Sequence, residues 1–272
     1  KKKAQNTTKH NSITTKKNGI KDIPVLFRPF HENTGGWFWW GAATTDKETY
    51  RALFQYTQDY LASKGVHNFI YVYSPNGPLT SEEEYMDRYP GDDCVDIVAF
   101  DYYDDYNTYP AEYSGEFVDN LKKTCQVVKN IADAKGKVAA ISETGVRVMK
   151  ADGSDNEGIL VKGNPIAGHN WYKQVNQVAV DTGMPYFLLW ANFGDTNFYV
   201  PYKYDDTHGQ ELINEFIEFY NEKSSVFANG TNFYGNADQK EVRNVNQGNA
   251  AGYFANVFSK MAITSAFTLK AN

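Results

Sequence analysis

The length, composition and charge of this chain limit what it can be. Its 272 residues are enough for one large domain, and the 42% that are apolar are enough for a sizeable core. The net charge of −6 argues against nucleic acid as the main partner, because phosphate binding requires a basic surface. Two cysteines, Cys94 and Cys125, make neither a metal cluster nor a disulfide framework, and no apolar run approaches membrane-spanning length. We therefore expect no metal ion, no organic cofactor and no membrane span.

Short apolar runs alternate along the chain with stretches of helical periodicity. The apolar runs, which are rich in Val, Ile, Phe and Tyr, predict β-strands at 23–27, 68–73, 95–103, 137–145 and 185–193. Apolar residues at helical spacing predict helices at 46–64, 81–89, 116–135, 170–181 and 209–222. The strands are apolar throughout, as expected when both faces of a sheet are covered. This β-α alternation predicts a parallel sheet with right-handed crossovers.

The two ends of the chain do not follow that pattern. Residues 1–21 are polar and contain seven lysines without apolar periodicity, which predicts a solvated or frayed segment rather than a binding arm. Residues 223–272 are polar and rich in asparagine, and we predict that they are irregular. Residues 22–222 are predicted to form the folded domain.

A group of polar and aromatic residues follows the first predicted strand. His31 and Glu32 come directly after it, and three tryptophans follow a glycine-containing turn at positions 37, 39 and 40. Charged groups at the end of an apolar strand are costly to bury without a purpose. A carboxylate beside indole rings suits the binding and cleavage of a sugar, because sugar rings present an apolar face to indole and glycosidic bonds need a proton donor.

A second carboxylate, Glu143, ends the fourth predicted strand. Strand parity puts Glu32 on one side of the first strand with Arg28 and Phe30, and it puts Glu143 on one side of the fourth strand. Both carboxylates can therefore point into one central cleft. Two carboxylates flanking a glycosidic bond are the minimum machinery for its hydrolysis. The carboxyl ends of strands are where (β/α)8 barrels carry their chemistry, although a doubly wound open sheet shares this rule. The lack of a glycine-rich phosphate loop after any strand disfavours a nucleotide-dependent enzyme.

Seven motifs, spread over roughly residues 22–222, resemble those of glycoside hydrolase family 26, which is composed chiefly of endo-β-1,4-mannanases. They are Arg-Pro-Phe-His-Glu at 28–32, Gly-Trp-Phe-Trp-Trp-Gly at 36–41, Tyr-Ser-Pro at 73–75, Tyr-Pro-Gly-Asp-Asp at 89–93, Asp-Tyr-Tyr at 101–103, Ser-Glu-Thr-Gly at 142–145 and Trp-Ala-Asn at 190–192. The resemblance implies a (β/α)8 barrel, a secreted or cell-surface location, and retaining hydrolysis of β-mannan or a related polysaccharide by double displacement.

The resemblance also implies the roles of the two acids. Glu32 corresponds to the acid/base after the fourth strand of the family's barrel, and Glu143 to the nucleophile after the seventh strand. Tyr103 corresponds to the tyrosine that hydrogen-bonds the nucleophile. Tyr102 is the competing choice, which strand parity disfavours.

Four aromatic residues remain, with His31, to be assigned. The resemblance implies that His31 and Trp37 line the site of the cleaved sugar and that Trp190 is a sugar-stacking platform. His31 could instead be a histidine that only packs against its neighbours. For Trp39 and Trp40 we favour packing in the core or the loop for at least one of the two.

The chain departs from the family pattern at its beginning. Only about 30 residues precede Glu32, whereas three βα units need about 90. We therefore expect the chain to hold about the last five βα units of the barrel, either as a fragment or completed by strands from elsewhere. Alternatives to a mannanase are a β-1,3-xylanase or mixed-linkage β-glucanase of the same family, or a noncatalytic carbohydrate-binding barrel fragment.

Overall fold

The computed structural model describes residues 16–17, 20–21, 24–106, 115–148, 168–192, 199–203, 209–210 and 212–227. The described strands are β1 Lys16–Lys17, β2 Ile20–Lys21, β3 Val25–Phe27, β4 Phe69–Tyr73, β5 Ile97–Tyr106, β6 Val138–Val148, β7 Phe187–Leu189, β8 Tyr202–Lys203 and β9 Gly209–Gln210. The described helices are α1 Lys47–Ser63, α2 Glu82–Met86, α3 Glu116–Lys135, α4 Trp171–Thr182 and α5 Ile213–Tyr220. No helix among these ranges is long and apolar enough to cross a membrane.

The main sheet is parallel, as predicted. Its strand order is the chain order, β3-β4-β5-β6-β7. The pairs β3–β4, β4–β5 and β6–β7 are parallel, with Val25 opposite Phe69 in the first pair and Ile141 opposite Phe187 in the last. In each of these pairs the strands run in the same direction, so Glu32 follows the carboxyl end of β3 and Trp190 follows the carboxyl end of β7.

The chain divides into two compact units, which we describe separately. The first contains Lys1–Phe100 and Val127–Ala139. In it, α1 begins after the cap Asp46, whose side chain accepts a hydrogen bond from the Thr49 amide at 2.8 Å. Tyr50 of α1 is fully buried, and its ring meets that of Tyr73 of β4 edge-on at 6.4 Å. This packing holds α1 on β4, directly beside the turn that follows β3.

The second unit contains Asp101–Gln126 and Ala140–Asn272. The fully buried Tyr172 of α4 meets Phe216 of α5 edge-on at 5.1 Å. Its hydroxyl donates to the Gln210 side-chain oxygen at 2.6 Å. α4 and α5 are therefore joined by an aromatic core with a satisfied polar group inside it.

One prediction about the ends of the domain is wrong, and one stays a prediction. In the segment predicted to be solvated or frayed, at 1–21, Lys17 pairs with Ile20 in a short antiparallel ladder, which does not test the prediction of solvation. The sequence signal is the Asn-Gly pair at 18–19, which is a favoured two-residue hairpin connection. The last helix begins at Ile213 rather than at 209, because Gly209 pairs with Lys203 in the antiparallel β8–β9 ladder. The predictions for residues 1–15 and 228–272 lie outside the described residues.

Candidate active site

The turn after β3 carries Glu32, and it is not an extension of the strand. β3 ends at Phe27, and Pro29, which has no N–H to donate to a ladder, stands in the turn that follows. Phe30 and Glu32 both have left-handed backbones, with φ of 53° and 52°. The strand parity that we used to orient Glu32 is therefore wrong. The Glu32 amide instead donates to the carbonyl of Ser74, just after β4, at 2.8 Å.

Neighbouring aromatic side chains hold this turn in place. The Tyr50 hydroxyl donates to the Phe30 carbonyl at 3.0 Å, and the Trp40 indole N–H donates to the His31 carbonyl at 2.8 Å. A left-handed backbone costs a residue other than glycine about 1–3 kcal/mol, and it persists only where the surroundings over-determine it. The hydrogen bonds from Tyr50 and Trp40 constrain the turn in this way.

The carboxylate of Glu32 is hydrogen-bonded to Trp37. The indole Nε1–H of Trp37 donates to Glu32 Oε2 at 2.7 Å, while the Trp37 side chain is 62% exposed. The predicted pairing of an acid with an indole on the surface is therefore present in the structure. Its use on a substrate stays a prediction.

His31 lies among aromatic rings and is neutral at neutral pH. Burial, and secondly the positive charge of Arg28, lower the pKa of His31 to about 4. Its ring lies 5.1 Å from that of Phe38 and 6.1 Å from that of Trp40, measured between centroids. A neutral imidazole can both donate and accept a hydrogen bond, so both interpretations of His31, packing and sugar contact, stay open.

The three tryptophans of the loop have different surroundings. Trp40 stacks on Phe38, with centroids 4.4 Å apart and planes 14° apart, and it is half-buried. Trp39 is 63% exposed. Trp40 is therefore the one that packs, while Trp37 and Trp39 present indole surface to solvent.

A buried arginine that sequence reasoning missed supports the same loop. Arg88, between α2 and β5, donates from Nη2 to the Thr45 carbonyl at 2.8 Å, and its guanidinium lies 4.9 Å from the centre of the Tyr50 ring. The cation therefore fixes the end of the tryptophan loop and the tyrosine that holds the turn. Its position in the chain, far from the loop, gave no signal of this contact.

Glu143, in the second unit, lies in the middle of β6 at an irregularity of the sheet, so the prediction that it ends its strand is wrong. Ile141 pairs with Phe187 and Thr144 pairs with Leu189, so β6 has one more residue than β7 between these two pairs. A bulge of this kind redirects side chains and is frequent next to active sites. Glu143 itself is only 4% exposed.

The buried carboxylate of Glu143 accepts a hydrogen bond from the Tyr103 hydroxyl. Burial, and secondly the negative charge of Glu143, raise the pKa of Tyr103 far above its usual value, so the hydroxyl stays a donor at any working pH. Tyr102 instead stacks on Phe117 of α3, at 4.9 Å between ring centroids. The contact expected from the resemblance is thus made by Tyr103 and not by Tyr102.

Asp101 and Asp104, on either side of these tyrosines, are hydrogen-bonded within the second unit. Ser142, the residue before Glu143, donates to Asp101 Oδ1 at 2.8 Å. Trp171 Nε1 of α4 donates to Asp104 Oδ2 at 3.0 Å. Both acids therefore anchor neighbouring elements around Tyr103.

Trp190 follows β7, and its amide donates to the Thr144 carbonyl at 2.9 Å. Two residues later, the Asn192 side-chain oxygen accepts from the amide of Tyr199 at 2.9 Å. The Tyr199 ring then meets Tyr103 at 5.4 Å. Tyr199 is a further residue beside the candidate nucleophile that sequence reasoning missed, because only the fold brings it there.

The structure thus joins Glu32 to Trp37 and Glu143 to Tyr103, with His31 in the turn after β3 and Trp190 directly after β7. Their catalytic and binding roles, and the convergence of the two acids, stay predictions.

Comparison with known proteins gives a consistent family. Residues 9–177 match the sequence model of glycosyl hydrolase family 26. A mannan endo-1,4-β-mannosidase from Bifidobacterium adolescentis is 31% identical over 232 residues, which is 82% of this chain and 22% of that protein. Endoglucanase H from Acetivibrio thermocellus is 31% identical over 84 residues, which is 29% of this chain and 9% of that protein.

Solved structures agree with the sequence matches. The catalytic domain of an endo-β-1,4-mannanase from Bacillus sp. JAMB-750 has a TM-score of 0.63 and 37% identity, covering 76% of this chain and 52% of that chain. The match confirms the predicted fold class, an α/β chain with about five βα units of a (β/α)8 barrel. The chain spans 52% of that solved chain and 22% of the Bifidobacterium protein.

Proposed function

We propose, from the premise that this chain belongs to glycosyl hydrolase family 26, that it hydrolyses β-1,4-linked mannan with retention of anomeric configuration. The observation that carries the proposal is the buried carboxylate of Glu143, at a bulge within a parallel strand, with the Tyr103 hydroxyl donating to it. Two of the relatives, from Bifidobacterium adolescentis and Bacillus sp. JAMB-750, are named for action on mannan.

In the proposed first step, Glu143 is the nucleophile. Its ionised carboxylate attacks the anomeric carbon, and the carbon–oxygen bond to the leaving sugar breaks. Glu32, protonated at this stage, gives its proton to the departing oxygen, which leaves as a hydroxyl group. Tyr103 keeps its proton throughout, and its hydrogen bond orients the attacking carboxylate of Glu143.

In the proposed second step, Glu32 acts as a base. It takes a proton from water, the water oxygen attacks the anomeric carbon of the glycosyl ester, and the ester bond to Glu143 breaks. Two inversions give net retention. This mechanism requires the two carboxyl groups to lie about 5–5.5 Å apart. We propose that Trp37 and His31 contact the cleaved sugar, and that Trp190 stacks on a neighbouring ring.

Mixed-linkage β-glucan is the second candidate substrate. The match to Endoglucanase H, a name that indicates a glucan without giving its linkage, is the observation that favours a glucan, although it covers only 29% of this chain. Because either substrate is a polysaccharide, we propose a secreted or cell-surface location. Detection of the protein outside the cells that make it would test the location.

A reducing-end assay tests the activity. We expect the chain to release new reducing ends from galactomannan faster than from mixed-linkage β-glucan. Glu143→Ala should lower the rate by about 1,000-fold or more, since the nucleophile is lost. Glu83→Ala, which removes an exposed carboxylate on α2, is the matched control and should keep full activity. If the chain binds galactomannan but releases no reducing ends, the proposed hydrolase activity is contradicted. The noncatalytic carbohydrate-binding fragment would then be the remaining alternative.

Product stereochemistry tests the two roles. NMR of the first product should show the β-anomer, and an α-anomer would contradict double displacement. With azide and an aryl β-mannobioside, Glu143→Ala should give the α-mannobiosyl azide, because azide replaces the nucleophile and the aryl alcohol leaves. Glu32→Ala should give the β-azide, because azide then attacks the glycosyl ester. The opposite pairing of variants and products would reverse the two assignments.

A further inference from the structure

Trp39 is a large exposed side chain for which the proposed reaction has no use. Trp37 is hydrogen-bonded to the candidate acid Glu32, and Trp40 is stacked on Phe38. Trp39 is 63% exposed, and no residue that the structure describes accepts a hydrogen bond from its indole. A single exposed apolar side chain needs no explanation, but Trp37, two positions away, is exposed as well, and grouped exposed apolar side chains are typical of a binding site.

Both the backbone and the ring of Trp39 nevertheless contact neighbouring residues. The hydroxyls of Thr44 and Thr45 both donate to the Trp39 carbonyl, at 2.7 Å each. The ring meets Phe30 and Trp40 edge-on, with centroids 6.1 and 5.4 Å apart. A side chain ordered before binding loses little conformational entropy when a ligand arrives, so these contacts prepare Trp39 for binding.

The composition of the loop indicates the class of ligand. Residues 36–45 contain no charged side chain. An uncharged surface with an exposed indole suits a neutral ligand with an apolar face, and a pyranose ring has such a face. Trp37, also exposed, stands two positions away, which limits the distance between the two Cα atoms to about 7 Å.

We propose that Trp39 is a second sugar-stacking platform, which binds a pyranose ring of the polysaccharide beyond the ring that meets Trp37. This inference rests on the proposed function, because the polysaccharide that binds Trp39 must also reach Glu32. Binding there adds affinity for long substrates and does not change the chemistry at the cleaved bond. Short oligosaccharides do not extend to Trp39.

Binding to a chain that cannot hydrolyse its ligand tests this platform. In a Glu143→Gln background, we compare Trp39→Ala, Trp39→Tyr and the control Tyr56→Ala. Tyr56 is 65% exposed on α1, outside the loop. Affinity electrophoresis in galactomannan and calorimetry with mannobiose and mannohexaose give the dissociation constants.

Trp39→Ala should weaken binding of galactomannan and mannohexaose by about 3- to 10-fold and leave mannobiose unchanged. Trp39→Tyr should keep most of the affinity, and Tyr56→Ala should keep all of it. Equal affinities of the Trp39→Ala and background chains would overturn the platform while leaving the proposed function intact. So would an unchanged affinity with a change of oligomeric state in sedimentation, since the indole would then cover protein. Failure of the background chain itself to bind would overturn the proposed function together with the platform.

Discussion

The protein should become less stable between pH 7 and pH 5, and replacing His31 with glutamine should make this decrease in the free energy of unfolding smaller. In the folded chain, burial and the charge of Arg28 lower the pKa of His31 to about 4. In the unfolded chain, a histidine titrates near pH 6.5 as a rough reference. The unfolded state therefore binds more protons between these values, and the free energy of unfolding rises with pH there. This contribution is complete above about pH 6.5 and is lost as the pH falls toward 4.

The size of the effect follows from the same pKa difference. Taken in full, it corresponds to about 3 kcal/mol of unfolding free energy. His31 is only partly buried, however, and solvent screening reduces the contribution to about 1–2 kcal/mol. Most of this contribution is lost by pH 5. The effect is therefore large enough for equilibrium unfolding to detect.

Urea unfolding at pH 7 and pH 5 measures the contribution of His31 to the free energy of unfolding. The unmodified chain and the control His67→Gln, which changes an exposed histidine, should lose the same amount of stability between the two pH values. His31→Gln should lose about 1 kcal/mol less. The comparison uses the difference between pH values, so any constant cost of the substitution cancels. Equal losses in all three proteins would refute the assignment of a depressed pKa to His31.

Two further substitutions test Glu143 and the tryptophan loop. Tyr103→Phe removes a hydrogen bond to the buried Glu143 carboxylate, worth about 1.5–3 kcal/mol, so turnover of galactomannan should fall about 10- to 100-fold. Tyr102→Phe should leave turnover nearly unchanged, and equal rates in both variants would contradict the assignment of Tyr103. Gly41→Ala brings a methyl group against the backbone carbonyl of Gly35, and it should lower the free energy of unfolding by about 1–3 kcal/mol in urea. An unaltered urea midpoint would show that the loop adjusts without strain.

Sequence reasoning located elements well where local chemistry sets their ends. α3 has its predicted bounds, 116–135, because Gly136 follows the last helical residue with a left-handed φ of 64°. α1 begins after Asp46 because that side chain caps it. Caps and glycines act over a few residues, so the sequence alone contains what is needed to predict them.

Strand parity worked where the strand is continuous and failed where it is not. β5 runs without interruption through Tyr102 and Tyr103, so the two side chains leave opposite faces and only Tyr103 meets Glu143. Parity could not orient Glu32, because its strand has already ended at Phe27. The contact of Tyr199 with Tyr103 joins segments distant in the chain, and no local pattern encodes it.

The backbone at Glu32 favours a functional role for this residue independently of any family resemblance. Phe30 and Glu32 both adopt positive φ, at a cost of about 1–3 kcal/mol each. Glycine adopts such angles at little cost, but it would remove the carboxylate. The fold instead supports the strained turn with hydrogen bonds from Tyr50 and Trp40 and a backbone bond to Ser74. Since glycine would give the same turn without the strain, the strain supports the hypothesis that the turn serves to position the Glu32 carboxylate.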